Sequence, residues 1–353
     1  MSSDFASRPG AVGDPPQHYG NPLSEQRALA AGEAVVDLSD RDVVTVTGPD
    51  RLTWLDSLLS QSLARLAPGE SAEALLLDPS GRVEYAARIV DDGETAWLLM
   101  DAGTGAGLAA FLERMRFMLR VEVADRSAEF ATVGTLGEPV PGIVTWRDPW
   151  SSVVAGGHQY ATAASHPGEE WTYSETVLPR DGLGALADRT AAGILALEAL
   201  RIAAWRPRAA TELDATTIPH ELDWIRSAVH LAKGCYRGQE TVAKVHNLGH
   251  PPRRLVLLHL DGSDNVAVAA GDEVLDGDKP VGRVTAAAVH HELGPIALAV
   301  VRRTTDPAAT LTVAAADGAV AAAQEVIVPP EAGAEANVPR LPRLGAVKRP
   351  TPS

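Results

Sequence analysis

Two consecutive prolines, Pro251-Pro252, divide the chain into stretches of different character. Neither can donate a backbone hydrogen bond, and each disfavours helix in the residue before it, so no helix or central strand runs through the pair. Downstream, residues 255–260, 273–275, 281–285 and 296–301 read as short strands with Gly-rich turns, the pattern of a small β-barrel. Upstream, strand and helix signals are interleaved. Val43-Val44-Thr45-Val46 reads as a strand, and Leu52, Leu55, Leu59 and Leu63 then recur at helical spacing. Residues 74–77, 83–90 and 96–100 read as antiparallel strands, the first two joined by the type I turn Asp78-Pro79-Ser80-Gly81. Helices are expected over 106–118 and 188–205, the second stopped by Arg206-Pro207. Between 133 and 177 the strand signals are short and broken by Gly, Pro and His, and individual strands are not placed there.

A chain of 353 residues predicts two to three domains, and 45% hydrophobic with 22% charged residues suffices for buried cores. The expected boundaries are a disordered leader over 1–22, a body over 23–250, a barrel over 251–330 and a disordered tail over 331–353. Lys plus Arg number 31 against 46 Asp plus Glu, a net charge of −15 that argues against nucleic acid and anionic membranes as partners. There is no apolar run long enough to span a bilayer and no signal-peptide pattern at the start, so a cytoplasmic location is expected. The single cysteine, Cys235, excludes an internal disulfide and an all-cysteine metal or cluster site.

That cysteine sits in the most informative segment, Lys233-Gly234-Cys235-Tyr236-Arg237-Gly238-Gln239-Glu240. Two glycines permit tight backbone geometry and close ligand approach. Lys233 and Arg237 are placed to favour the thiolate, which makes Cys235, Lys233 and Arg237 the candidate catalytic residues. A lone cysteine also suits a small buried apolar position. On the helix before Arg206, Leu195, Ile202 and Trp205 make Glu198 a carboxylate projecting from an apolar stripe. It can pair with Arg201 one turn on, or accept the paired N–H donors of a heterocyclic ligand.

The octapeptide resembles the Lys-Gly-Cys-Tyr-x-Gly-Gln-Glu signature of the YgfZ-type folate-binding proteins, relatives of the glycine-cleavage T protein. Gly48-Pro49-Asp50-Arg51, Leu77-Asp78-Pro79-Ser80-Gly81-Arg82, Leu197-Glu198-Ala199-Leu200-Arg201 and Ile218-Pro219-His220-Glu221 follow the same family's order. The resemblance covers residues 23–327. It implies an α+β, aminomethyltransferase-like folate-binding fold with a C-terminal β-barrel, and tetrahydrofolate as ligand. In T proteins the glutamate matching Glu198 grips the pterin. Arg201, Trp205, Tyr236 and Gln239 complete the expected folate-binding set, with Trp224 a second candidate for stacking. The implied role is assistance in iron–sulfur cluster assembly or repair, with iron–sulfur client or assembly proteins as partners. A folate-dependent aminomethyltransferase and a non-catalytic folate carrier or sensor are the alternatives.

Two departures speak against aminomethyl transfer. T proteins carry paired aspartates just after the hairpin glycine, whereas this chain has Gly81-Arg82-Val83-Glu84. Their Arg-Thr-Gly-Tyr-Thr-Gly-Glu stretch has no counterpart in residues 133–177. Adjacent His290-His291 is expected to face opposite sides of a strand, so no metal is expected there. Lys244, His246, Arg253 and Arg254 are candidate contacts for a folate glutamate tail.

Overall fold

The computed structural model describes residues 4–263 and 266–336. One five-stranded sheet contains β1 (Ala34–Asp37), and the other contains β2 (Asp42–Thr47), β3 (Ser71–Leu77), β4 (Val83–Asp91), β5 (Thr95–Met100) and β6 (Glu122–Asp125). The first is completed by β7 (Phe130–Leu136), β8 (Val144–Arg147), β9 (Tyr173–Pro179) and β10 (Thr190–Ala192). Their orders are β10-β1-β7-β9-β8 and β3-β4-β5-β2-β6. Every pairing is antiparallel except β1 with β10. The unplaced stretch thus supplies β8 and β9. Asp148, Trp171, Tyr173 and Glu175 there face polar partners, which erases a clean apolar alternation.

Helices α1 (Pro22–Ala30), α2 (Arg51–Leu58), α3 (Gly105–Met115) and α4 (Ile194–Ala203) pack on these sheets. Two further single-turn helices, α5 (Ala209–Glu212) and α6 (Ile225–Ala228), precede α7 (Gln239–Leu248). Helix α4 begins six residues later than its composition predicts, because Thr190–Ala192 pairs with β1 instead. The leader explains this start. The carbonyls of Pro16 and Gln17 accept the Ile194 and Leu195 N–H groups at 3.0 Å, filling the open donors of the helix end. A Cβ on Gly193 would lie 2.2 Å from the Gln17 oxygen. Phe5 is fully buried and Arg8 holds the Leu186 and Arg189 carbonyls, so the leader is anchored on the body at these points, contrary to the expected disorder.

After Pro251-Pro252, β11 (Arg253–Leu260), β12 (Glu273–Asp276), β13 (Lys279–His290), β14 (Gly294–Arg302), β15 (Thr310–Ala315) and β16 (Gly318–Val326) close into a six-stranded barrel. Side chains alternate across a strand, so Val256 and Leu258 fill the barrel while Leu255 and Leu257 face outward. The outward pair packs with Ile202, Trp205, Leu222 and Trp224 in one core joining barrel and body. The architecture is α+β with a C-terminal β-barrel, as expected. From the tail, residues 334–336 bond back to the Val245, His246 and Asn247 carbonyls of α7, while the expected disorder of 337–353 lies outside the described residues. Among the described residues no helix is long and apolar enough to cross a membrane.

Candidate functional site

A cavity with about 480 Å³ of space between its atoms, mouth included, opens between the two sheets and α4. Strand alternation delivers its polar groups: Glu73 from β3, Arg88 from β4, Glu175 from β9, with Asp101 just past β5 and Asp148 just past β8. Leu197, Glu198 and Arg201 come from α4, followed by Arg206 and Arg208. Trp146, Trp171, Tyr173 and Trp224 form its flat walls. Five guanidinium groups, Arg41 included, face five carboxylates, so the formal charge of the lining is 5 − 5 = 0.

The charges are held as a network. Arg206 binds Asp148 at 2.8 Å and Glu73 at 2.7 Å, and Arg88 binds Asp101 at 3.0 Å. Arg41 and the Tyr173 hydroxyl both donate to Glu175. Arg201 donates twice to one oxygen of Glu198, at 3.1 and 3.0 Å, and Arg208 reaches the other at 2.8 Å. Burial opposes ionisation of Glu198, but Arg201 and Arg208 outweigh it and hold the carboxyl below its usual range. Burial is likewise outweighed at Asp101, by Arg88, Arg41 and Arg208. Five buried polar atoms of the lining lack a hydrogen-bond partner, Arg88 Nε and Nη2, Arg208 Nε, Trp224 Nε1 and Glu175 Oε2, and of these Arg88 Nε and Glu175 Oε2 face each other as an ion pair at 3.3 Å. With that pair set aside, the cavity offers the open N–H donors of Arg88 Nη2, Arg208 Nε and Trp224 Nε1 in a lining that has aromatic planes and no net charge. That suits a planar heterocycle with its own donors and acceptors better than a small ion.

The Cys235 segment lies elsewhere; none of Lys233, Cys235, Tyr236, Arg237 or Gln239 lines this cavity. Cys235 is an exposed, free thiol. The Lys233 ammonium is withdrawn from solvent and donates to the carbonyls of Asp56, Leu59 and Gln61, closing the C-terminal end of α2. Burial lowers its pKa and Asp56 partly restores it. Arg237 pairs with Glu84 at 2.8 Å. Both cations expected to activate the thiol are thus committed to other partners. Tyr236 is buried in the core beneath Lys233, whose Nζ lies 5.4 Å from the ring centre, and Gln239 donates to the Lys233 carbonyl at 3.3 Å. These two residues shape the loop and leave its cysteine outside.

Trp205 is also displaced from its expected role: it is buried in the core at φ 58°, with His166 edge-on 5.2 Å away, and does not reach the cavity, whereas Trp224 does. Of the candidate tail contacts, Arg253 is held by Asp214 and Glu221, Arg254 is wholly buried, and His246 meets the Tyr160 hydroxyl at 2.9 Å. The His290 and His291 rings lie 4.5 Å apart rather than on opposite faces, because β13 ends at His290. Among the described residues no group of three or more His, Cys, Asp or Glu side chains could hold a metal ion.

Residues 253–330 match the glycine cleavage T-protein C-terminal barrel domain. The chain superposes on the crystal structure of the glycine cleavage system aminomethyltransferase T from Bartonella henselae with a TM-score of 0.73, covering 93% of this chain and 96% of that one at 18% identity. The fold is that of the aminomethyltransferases. An aminomethyltransferase of Corynebacterium jeikeium is 25% identical over 87% of each chain. The mitochondrial iron-sulfur cluster assembly factor IBA57 homolog of Mycosarcoma maydis is 27% identical over 62% of this chain and 55% of its own length.

Within the aminomethyltransferase fold, this chain places Glu84 against Arg237 at the surface and outside the cavity lining. Sequence reasoning found Glu198, Arg201 and Trp224 but missed Arg41, Arg88, Asp101 and Glu175. The available signal was a charge inside an otherwise strand-like run, as in Ala86-Ala87-Arg88-Ile89 and Ser174-Glu175-Thr176-Val177.

Proposed function

We infer that this chain is a tetrahydrofolate-binding protein that assists iron–sulfur cluster assembly or repair through the Cys235 thiol. The observation that carries the folate half is the cavity wall at Glu198 and Arg201, with the open donors Arg88 Nη2, Arg208 Nε and Trp224 Nε1 in a lining that includes aromatic planes. Those groups fit a pterin, which offers ring N–H and amino donors, a carbonyl acceptor and two flat faces. The exposed thiol supports the second half: one thiolate cannot hold a cluster alone, so Cys235 acts jointly with ligands from a partner protein. The alternative, aminomethyl transfer, is favoured by the names of several relatives. Against it stands Glu84, the residue in place of the paired aspartates, which is spent on Arg237.

Isothermal titration of tetrahydrofolate into the wild type and Glu198→Gln tests the ligand. Loss of about 1.5–3 kcal/mol of binding in the variant is expected, the scale of a charge-assisted hydrogen bond. No binding by the wild type would remove the folate reading. Cys235→Ala tests the thiol: folate binding persists while the activity of client iron–sulfur enzymes falls. Unchanged client activity would leave a folate carrier.

A further inference from the structure

Among the described residues the two most exposed large apolar side chains are neighbours at one tip. Phe117 is 90% exposed and Met118 83%, flanked by Met115 and Leu119 at 47% and 38%. Adjacent apolar side chains left so open on a folded chain mark an interaction site. The tip is also rigidly built. Leu119 N donates to the Arg116 carbonyl at 3.1 Å, Arg116 Nη1 to the Val121 carbonyl at 3.1 Å, and Asp50 accepts the backbone and side chain of Arg120. Phe117 itself is held at φ 45°, a left-handed conformation that a bulky side chain avoids unless its surroundings impose it. The chain spends backbone strain on presenting this ring to solvent.

We propose that residues 114–120 form a protein-docking surface whose partner offers an apolar groove rimmed by carboxylates. The chemistry of the partner follows from the charge of the tip. The sequence Arg114-Met115-Arg116-Phe117-Met118-Leu119-Arg120 has three cations and no acid, on a chain whose net charge is −15. Arg116 and Arg120 are shared with Glu113 and Asp50 in exposed pairs, while Arg114 lies over the Phe111 ring, 6.0 Å from its centre. An acidic rim would complement all three. Two arginine tips repel each other, which disfavours a second copy of this chain.

The tip is also joined to the thiol loop. Arg237, two residues from Cys235, lies 5.7 Å from the centre of that same Phe111 ring, which sits in the last turns of α3, six residues before Phe117. A partner seated on Phe117 and Met118 that also reaches back along α3 to Phe111 covers the Cys235 loop.

The test uses the full-length protein and a fluorescein-labelled helical peptide with one face of Leu and Ile bordered by Glu. The peptide is expected to bind and to slow reaction of Cys235 with a thiol reagent severalfold. The double variant Phe117→Ser, Met118→Ser is expected to weaken binding about tenfold or more, while keeping its circular dichroism and tetrahydrofolate titration unchanged. Because the readout is peptide binding, it is independent of any folate or client-enzyme result. Absence of binding, equal binding by the variant, or unprotected Cys235 would overturn the proposal. So would Phe117-dependent sedimentation with phosphatidylcholine–phosphatidylglycerol vesicles, which assigns the tip to lipid, or Phe117-dependent self-association in sedimentation equilibrium, which assigns it to a second copy.

Discussion

Arg206 reaches Glu73 with a 2.7 Å hydrogen bond across 133 residues of sequence, tying the segment after α4 to the middle of β3. The same guanidinium holds Asp148, and the side chains of all three are nearly sealed from water. Arg206→Met should cost about 3–5 kcal/mol of stability in urea unfolding, because it strands two buried carboxylates. A loss below about 1 kcal/mol would mean that water already solvates the network.

Lys233 and Arg237 should separate in their effects. Removing the Lys233 ammonium leaves three carbonyls at the end of α2 without their donor, so Lys233→Met should lower stability by about 1.5–3 kcal/mol. Arg237→Gln breaks an exposed pair with Glu84 and should cost less than about 1 kcal/mol. Equal losses in the two variants would contradict the roles assigned here.

Gly238 and Gly81 lock the thiol loop to the β3–β4 hairpin. Gly238 has φ +83°, and a Cβ there would lie 2.7 Å from the Asp78 carbonyl oxygen. Gly238→Ala should push the two loops apart, reducing stability by about 1–3 kcal/mol and changing the rate at which Cys235 is alkylated. An unaltered alkylation rate would show that the loop keeps its shape without this contact.

Asp223 gives the fold a dependence on pH. Burial pushes its carboxyl up to about 7, against the pull of the Tyr160 N–H, Arg226 and the Ala161 N–H. The folded state therefore holds this proton more tightly than the unfolded chain, whose carboxyl titrates near about 4. The stabilisation is complete below about pH 4 and is lost as pH rises through about 7, with a slope of at most about 1.4 kcal/mol per pH unit. Asp223→Asn, which also tolerates the φ of 54° at this site, should flatten the wild type's stability difference between pH 5 and pH 8. An identical profile in the variant would place the titration elsewhere.

The barrel was legible from the sequence because its strands alternate cleanly, with Val256 and Leu258 in one direction and Leu255 and Leu257 in the other. Glu198 was legible as a charge on an apolar helix face. The cavity as a whole was not, because its carboxylates and guanidinium groups come from β3, β4, β9 and α4 and from the loops after β1, β5, β8 and α4. No local spacing records that Arg206 will meet Glu73. Lys233 and Arg237 were misjudged for the same reason: nearness to Cys235 in sequence says nothing of the α2 carbonyls and Glu84 that claim them in space.

The bonds from Pro16 and Gln17 to the start of α4 set an order on the making of this protein. Pro16 and Gln17 are synthesised long before Ile194 and Leu195, and α4 carries Glu198 and Arg201 into the cavity wall. Long-range closure of this kind is slow and comes late. The α4 wall of the cavity is therefore added only after both sheets have been synthesised, and a chain interrupted before α4 has the sheets without the wall that closes the space between them.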